Sequence, residues 1–224
     1  MKDLIARRAA SLLEPGWVVN LGIGIPTLVS RYIDPDRIHL HTENGLLGVG
    51  PPPGPEEVDP ELVDAGKRPI TRRAGAAFFD SASSFSMIRG GHVDAAVLGA
   101  LQVDEGGRVA NWAVPGEPVL GVGGAMDLLC GVRTVIVVMT HTTREGAPKL
   151  VPSCTLPITS LRPADWVVTE LATFRMVGGV LRLAELAPGV ELGLVRSRTG
   201  ARFEEGEGEG AGRWRGERRA GGEP

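Results

Sequence analysis

The chain has 224 residues, with 24 Lys and Arg against 27 Asp and Glu, a net charge of -3, 42% hydrophobic and 23% charged residues. That length supports one substantial core rather than two domains, and the charge balance leaves no basic footprint for nucleic acid. No run approaches the ~18 uncharged apolar residues of a membrane span, and Cys130 and Cys154, outside any CxxC pattern, read as reduced thiols, so a cytoplasmic location is the expectation.

Leu4, Ile5, Ala9, Leu12 and Leu13 share one helical face that Pro15 and Gly16 terminate, predicting an amphipathic first helix. Trp17 to Leu21 follows as a buried strand, running into the glycine turn Gly22 to Pro26 and a helix over Thr27 to Ile33. The strand Ile38 to Thr42 then ends at Glu43 on a glycine-flanked turn, and a parallel crossover between these two strands is the economical topology. Pro51 to Pro60 interrupts regular structure; a helical turn is expected over Glu61 to Gly66 and a short strand over Pro69 to Thr71. Asp80 caps a helix that Gly90 and Gly91 end. Val93 to Gly99, Val109 to Ala113, Thr134 to Met139, Trp166 to Thr169 and Val180 to Leu186 are strands, with a glycine turn over Gly121 to Ala125 opening another helix. From Glu204 the composition collapses to Gly, Glu and Arg, which divides the chain into a domain over 1–203 and a disordered tail over 204–224.

Glu43 stands out because open α/β sheets bind ligands at the carboxyl ends of their strands. The turn Gly22 to Pro26 lacks the third glycine of a dinucleotide fingerprint, where Thr27 stands instead. Gly121 to Ala125 admits two readings, a turn offering backbone N–H donors to a developing oxyanion or a helix start packed closely on the sheet. His39 and His41 share a strand face without the acidic companions of a metal set, and no G-x-S-x-G elbow is present, so no metal site and no serine hydrolase is expected.

Taken together, Asn20–Pro26 (NLGIGIP), Leu40–Gly48 (LHTENGLLG), Ala65–Lys67 (AGK), Phe79–Asp94 (FDSASSFSMIRGGHVD), Ala110–Trp112 (ANW), Gly121–Leu128 (GVGGAMDL) and Cys154–Pro157 (CTLP) resemble the B (beta) chain type of the family I coenzyme A transferases, the 3-oxoacid and 3-oxoadipate type in particular. Thr42 stands where the family more often has Ser, which keeps the hydroxyl. The resemblance implies an α/β fold of the NagB/RpiA kind, an open, mostly parallel sheet flanked by helices. It further implies a separate A subunit in an α2β2 assembly and coenzyme A as a substrate held transiently as a thioester on Glu43, with no tightly bound cofactor.

By the same resemblance Gly124, beside Gly123, donates its backbone N–H to the oxyanion. Asn20 and Lys67 match positions that contact CoA; Gly22, Gly24 and Pro26 shape the pocket floor, and Asn44 and Gly45 hold the turn that aims Glu43. Arg89 and Asp94 read as structural. A carboxylate nucleophile suits this set, because it is ionised at neutral pH and attacks a thioester without a base to deprotonate it. Two other functions are kept open: an acyl-CoA hydrolase on the same scaffold, and a non-catalytic ligand-sensing or assembly subunit.

Overall fold

A computed structural model describes residues 1–64, 66–116, 121 and 123–205. In chain order the strands are β1 (Val18–Leu21), β2 (His39–Thr42), β3 (Leu46–Val49), β4 (Arg72–Phe78), β5 (Ala95–Gly99), β6 (Gln102–Asp104), β7 (Val109–Ala110), β8 (Thr134–Val138), β9 (Leu150–Val151), β10 (Trp166–Val168), β11 (Ala172–Val177), β12 (Val180–Leu186) and β13 (Glu204–Glu205). The helices are α1 (Lys2–Ala10), α2 (Ser81–Arg89), α3 (Ala125–Gly131) and α4 (Leu192–Arg198), with a 3-10 helix at Pro26–Arg31.

Ten strands form one sheet in the order β13-β12-β11-β10-β8-β5-β1-β2-β3-β4. Its centre, β10-β8-β5-β1-β2, is parallel throughout, and antiparallel pairs extend it at both sides. The central strands are apolar on both faces because both faces are covered. In β8, Val135 and Val137 join the core that includes Ile88 of α2 and Leu128 of α3, while Ile136 and Val138 join the core that includes Ile5 of α1 and Val29 of the 3-10 helix. The chain leaves β1 for β2 on one side and returns to β5 on the other, so the strand order reverses around β1, where open sheets carry their ligand crevice. Strands β6, β7 and β9 form a separate small sheet. Among the described residues no helix is long and apolar enough to cross a membrane.

Several elements differ from the sequence reading. Leu46–Val49 and Arg72–Phe78 are strands rather than connections, so the Glu43 turn is the tip of a β2–β3 hairpin. Gly48, with φ +91, disturbs the pattern of β3, and β4 is a largely exposed edge strand without apolar alternation. Glu61 to Gly66 contains no helix among its described residues; Val63 instead bridges Pro69, and a 3-10 turn occurs at Pro55–Glu57. Strand β11 is absent from the sequence reading, although the Gly178-Gly179 pair between Val177 and Val180 is a two-residue hairpin signal, realised with φ +60 and +81. Glu204 and Glu205 pair with Arg182 and Leu183, so the sheet reaches past residue 203, and the remainder of the expected tail lies outside the described residues. Cys130 is exposed, and burial raises the Cys154 thiol to about 11, so Cys154 is no activated nucleophile.

Burial pushes both His41 and His141 down to about 4. Because an unfolded imidazole titrates near about 6.5, the unfolded chain binds more protons between these values. The stability held by neutral burial is therefore complete above about pH 6.5 and falls as the pH drops toward 4, by up to roughly 3 kcal/mol per histidine. In urea unfolding from pH 7 to 4, His141→Gln is expected to give a shallower decline than the parent; equal slopes would refute the assignment for His141.

Candidate active site

The site follows from strand alternation at the carboxyl end of the sheet centre. Asn20 of β1 and His41 of β2 are register partners in a parallel pair, and Glu43 lies two residues beyond His41, so the three side chains share one face. That face is the one covered by α2 and α3: Ser84 of α2 meets His41, and Gly124 immediately precedes α3. Asn20 is fully buried and donates through Nδ2 to Glu43 Oε2 at 3.0 Å, while the same nitrogen lies 3.2 Å from His41 Nδ1. Its Oδ1 is buried with no hydrogen-bond partner among the described residues. Glu43 itself is half-buried.

Gly124 packs against the Glu43 side chain at its Cγ. A Cβ there would stand 3.3 Å from Glu43 Cγ and 3.4 Å from the Phe85 ring, so any side chain would press on Glu43. Gly123, with φ +53, precedes it and is exposed.

The turn beyond Glu43 is held from several directions. Gly45 N–H donates to the Thr42 carbonyl at 2.9 Å, and Phe79 N–H donates to the Gly45 carbonyl at 3.0 Å. The Thr42 hydroxyl donates to Asn44 Oδ1, and Asn44 Nδ2 donates to the Val63 carbonyl at 3.0 Å. Asn44 thereby ties the Glu43 turn to the segment that carries Lys67. Lys67 is exposed and is the one non-glycine residue with positive φ (60) among those described, presented between Asp64 and Arg68, which close on each other through an ion pair at 2.8 Å.

Gly22 sits where β1 passes close to β5: its N–H donates to the Val97 carbonyl at 2.9 Å, and a Cβ would stand 3.3 Å from that oxygen. Gly24, with φ +95, is exposed with open space around it, and buried Pro26 starts the 3-10 helix. Neither touches Glu43 through a hydrogen bond. Arg89 pairs with Asp127, while Asp94 accepts from Val18 N–H at 2.9 Å and pairs with Arg133 at 3.0 Å; both serve the packing of helices and strands. His41, which the sequence reading weighs only as a metal ligand, joins Glu43 through Asn20, with Ser84 and Phe79 packed around its ring, and strand alternation already puts His41 on that face.

A cavity of about 550 Å³ opens beside this centre, lined by Ile38, Leu40, Thr42, Gly22, Ile23 and Arg68 among others. Ile38, Leu40 and Thr42 alternate with His41 and Glu43, and His41 lines the cavity as well, so the cavity borders the carboxylate's side of β2 at His41 while resting mainly on the other side. Among the described residues no group of three or more His, Cys, Asp or Glu is placed to hold a metal ion.

The family model described as "Coenzyme A transferase" matches residues 2–195. The chain is 51% identical over 205 residues to the beta subunit of the acetate CoA-transferase of Escherichia coli K12, spanning 91% of this chain and 93% of that protein. It is 45% identical over 204 residues to the B subunit of the succinyl-CoA:3-ketoacid coenzyme A transferase of Helicobacter pylori 26695, spanning 91% and 99% respectively. In fold it is similar to the acyl-CoA transferase YdiF of Escherichia coli O157:H7, with a TM-score of 0.72 and 24% identity, covering 92% of this chain but only 42% of that one.

Proposed function

The chain belongs to the coenzyme A transferase family, and from that premise we propose that it is the catalytic B subunit of a 3-oxoacid CoA-transferase, with Glu43 as the covalent nucleophile. The observation that carries this reading is Glu43 at the carboxyl end of β2, its carboxylate bonded at 3.0 Å to a fully buried Asn20 and its Cγ packed on Gly124.

The Glu43 carboxylate attacks the acyl-CoA carbonyl, forming a mixed anhydride and expelling the CoA thiolate. The thiolate then attacks the Glu43 carbonyl carbon, releasing the donor acid and leaving a glutamyl-CoA thioester. The acceptor carboxylate reverses the two steps, so new acyl-CoA leaves and Glu43 is a carboxylate again. Each attack builds a tetrahedral oxyanion, and one preorganised donor at such a centre contributes about 3 to 4 kcal/mol. Gly124 N–H is the donor we assign to this chain, with a second supplied by the A subunit; Gly123 shapes the turn that presents it. Asn20 orients the carboxylate, and Lys67 meets the polar, negatively charged part of CoA.

The relatives named as beta and B subunits support a separate A subunit, and an α2β2 assembly is the form we favour. Ile23, Phe78 and Met126 are exposed large apolar side chains next in sequence to Gly22, Phe79 and, one residue removed, Gly124. They are the surface we assign to that contact. The two relatives are named for different acids, acetate and a 3-ketoacid, and we assign the choice of acid to the assembled pair of subunits. Co-expressed with its A subunit, the chain is expected to move CoA from succinyl-CoA to acetoacetate or 3-oxoadipate faster than to acetate. CoA released at one rate with and without any acceptor would make the protein a hydrolase instead.

A further inference from the structure

Asn20 can reach Glu43 only while its side-chain amide keeps one of its two orientations. Turned by half a rotation, it would set Oδ1 against the Glu43 carboxylate at about the present 3.0 Å, oxygen against oxygen. Among the described residues Oδ1 has no partner to hold the amide; its orientation rests on the two N–H groups of Nδ2, one toward Glu43 Oε2 and one toward His41 Nδ1 at 3.2 Å. The first of these changes through the reaction. As Glu43 passes from carboxylate to anhydride to thioester it loses its negative charge, and the hydrogen bond it accepts loses the charge assistance that makes it strong. The bond to His41 is unaffected by that chemistry.

We infer that His41 is a positioning residue for CoA transfer, its unprotonated Nδ1 accepting from Asn20 and holding the amide aimed at the Glu43 acyl group while the carboxylate charge is absent. The inference rests on Glu43 being the nucleophile. The surroundings of the ring agree with it. With Nδ1 as acceptor the single ring hydrogen is on Nε2, which stands 3.3 Å from Ser84 Oγ and donates to it. The ring is 4% exposed and stacks on Phe79 with centroids 5.7 Å apart and planes 12° from parallel, so it is clamped rather than free to turn. Burial holds it neutral in the working range, which leaves one nitrogen bare.

Two substitutions separate this role from simple packing. Gln offers an acceptor oxygen toward Asn20 and a donor toward Ser84, whereas Leu fills comparable space with neither. In the enzyme assembled with its A subunit, His41→Leu is expected to lower kcat by ~10- to 100-fold with KM for acyl-CoA changed less than about threefold, and His41→Gln to recover most of the loss. Equal kcat in the two variants overturns the inference, as does a loss that falls mainly on KM. If the Leu variant does not assemble, the ring nitrogens of His41 in the unsubstituted, 15N-labelled enzyme decide the matter. Nδ1 is expected bare and Nε2 protonated at neutral pH, and a proton on Nδ1 overturns the inference. Failure here remains distinct from failure of the nucleophile: an enzyme that carries CoA on Glu43 yet ignores the difference between Gln and Leu refutes only His41, whereas turnover with no such adduct refutes Glu43.

Discussion

Glu43→Gln is expected to reduce kcat for CoA transfer by at least ~10⁴-fold while the chain folds and joins its A subunit as the parent does, and Glu43→Ala to do the same. The chemical loss is complete in principle, because an amide neither attacks a thioester nor forms the anhydride. The structural loss is small. Glu43 is half-buried, and its side-chain hydrogen bond from Asn20 Nδ2 can be accepted by the Gln oxygen. Unchanged unfolding midpoints beside absent turnover are the pattern to look for. Turnover by the Ala variant within tenfold of the parent would remove Glu43 from the mechanism.

The next largest effect is expected at Gly45. Its φ is +119, and a Cβ there would stand 2.2 Å from the Phe79 carbonyl oxygen, a backbone atom that cannot swing aside. Phe79 is also the partner of His41 and receives the Gly45 turn through its N–H, so relief of the clash displaces the β2–β3 tip and the Glu43 carboxylate with it. A misplacement of about 1 Å at a reacting group costs on the order of 100-fold. Gly45→Ala is therefore expected to destabilise the protein by at least about 2 kcal/mol and lower kcat ~100-fold or more. Gly75→Ala is the control, since Gly75 has φ +80 and a Cβ added there would meet nothing within 4 Å. It carries the backbone strain alone, about 1 to 2 kcal/mol, with no clash. Equal unfolding midpoints for the two variants would show that the Phe79 contact is unimportant.

The central parallel strands are legible in the sequence because burial on both faces forces continuous apolar runs such as Thr134 to Met139, and Asp80 announces its helix, where its carboxylate accepts from Ser83 N–H at 2.7 Å. The antiparallel extensions are less legible. Arg72–Phe78 is an edge strand whose residues need satisfy only one neighbour, and Gly48 breaks the alternation of β3. At the site, the family resemblance puts Glu43 and Gly124 together and Asn44 and Gly45 on the turn beside them, whereas it reads Asn20 as a CoA contact and the structure sets Asn20 on the Glu43 carboxylate. Lys67, Gly24 and Pro26 make no hydrogen bond to the carboxylate. The hydrogen bonds that Asn20 makes are not readable from the chain, because its partner His41 is 21 residues away and only the parallel register of β1 on β2 joins them.

The most direct test of Glu43 as the covalent nucleophile is the mass of the peptide that contains it. The enzyme assembled with its A subunit is incubated with acyl-CoA in the absence of an acceptor, digested and weighed. The peptide containing Glu43 is expected to gain the mass of CoA less one water, and an acceptor acid added before digestion is expected to remove it. Transfer activity without any such adduct, or an adduct on a different residue, would contradict the mechanism.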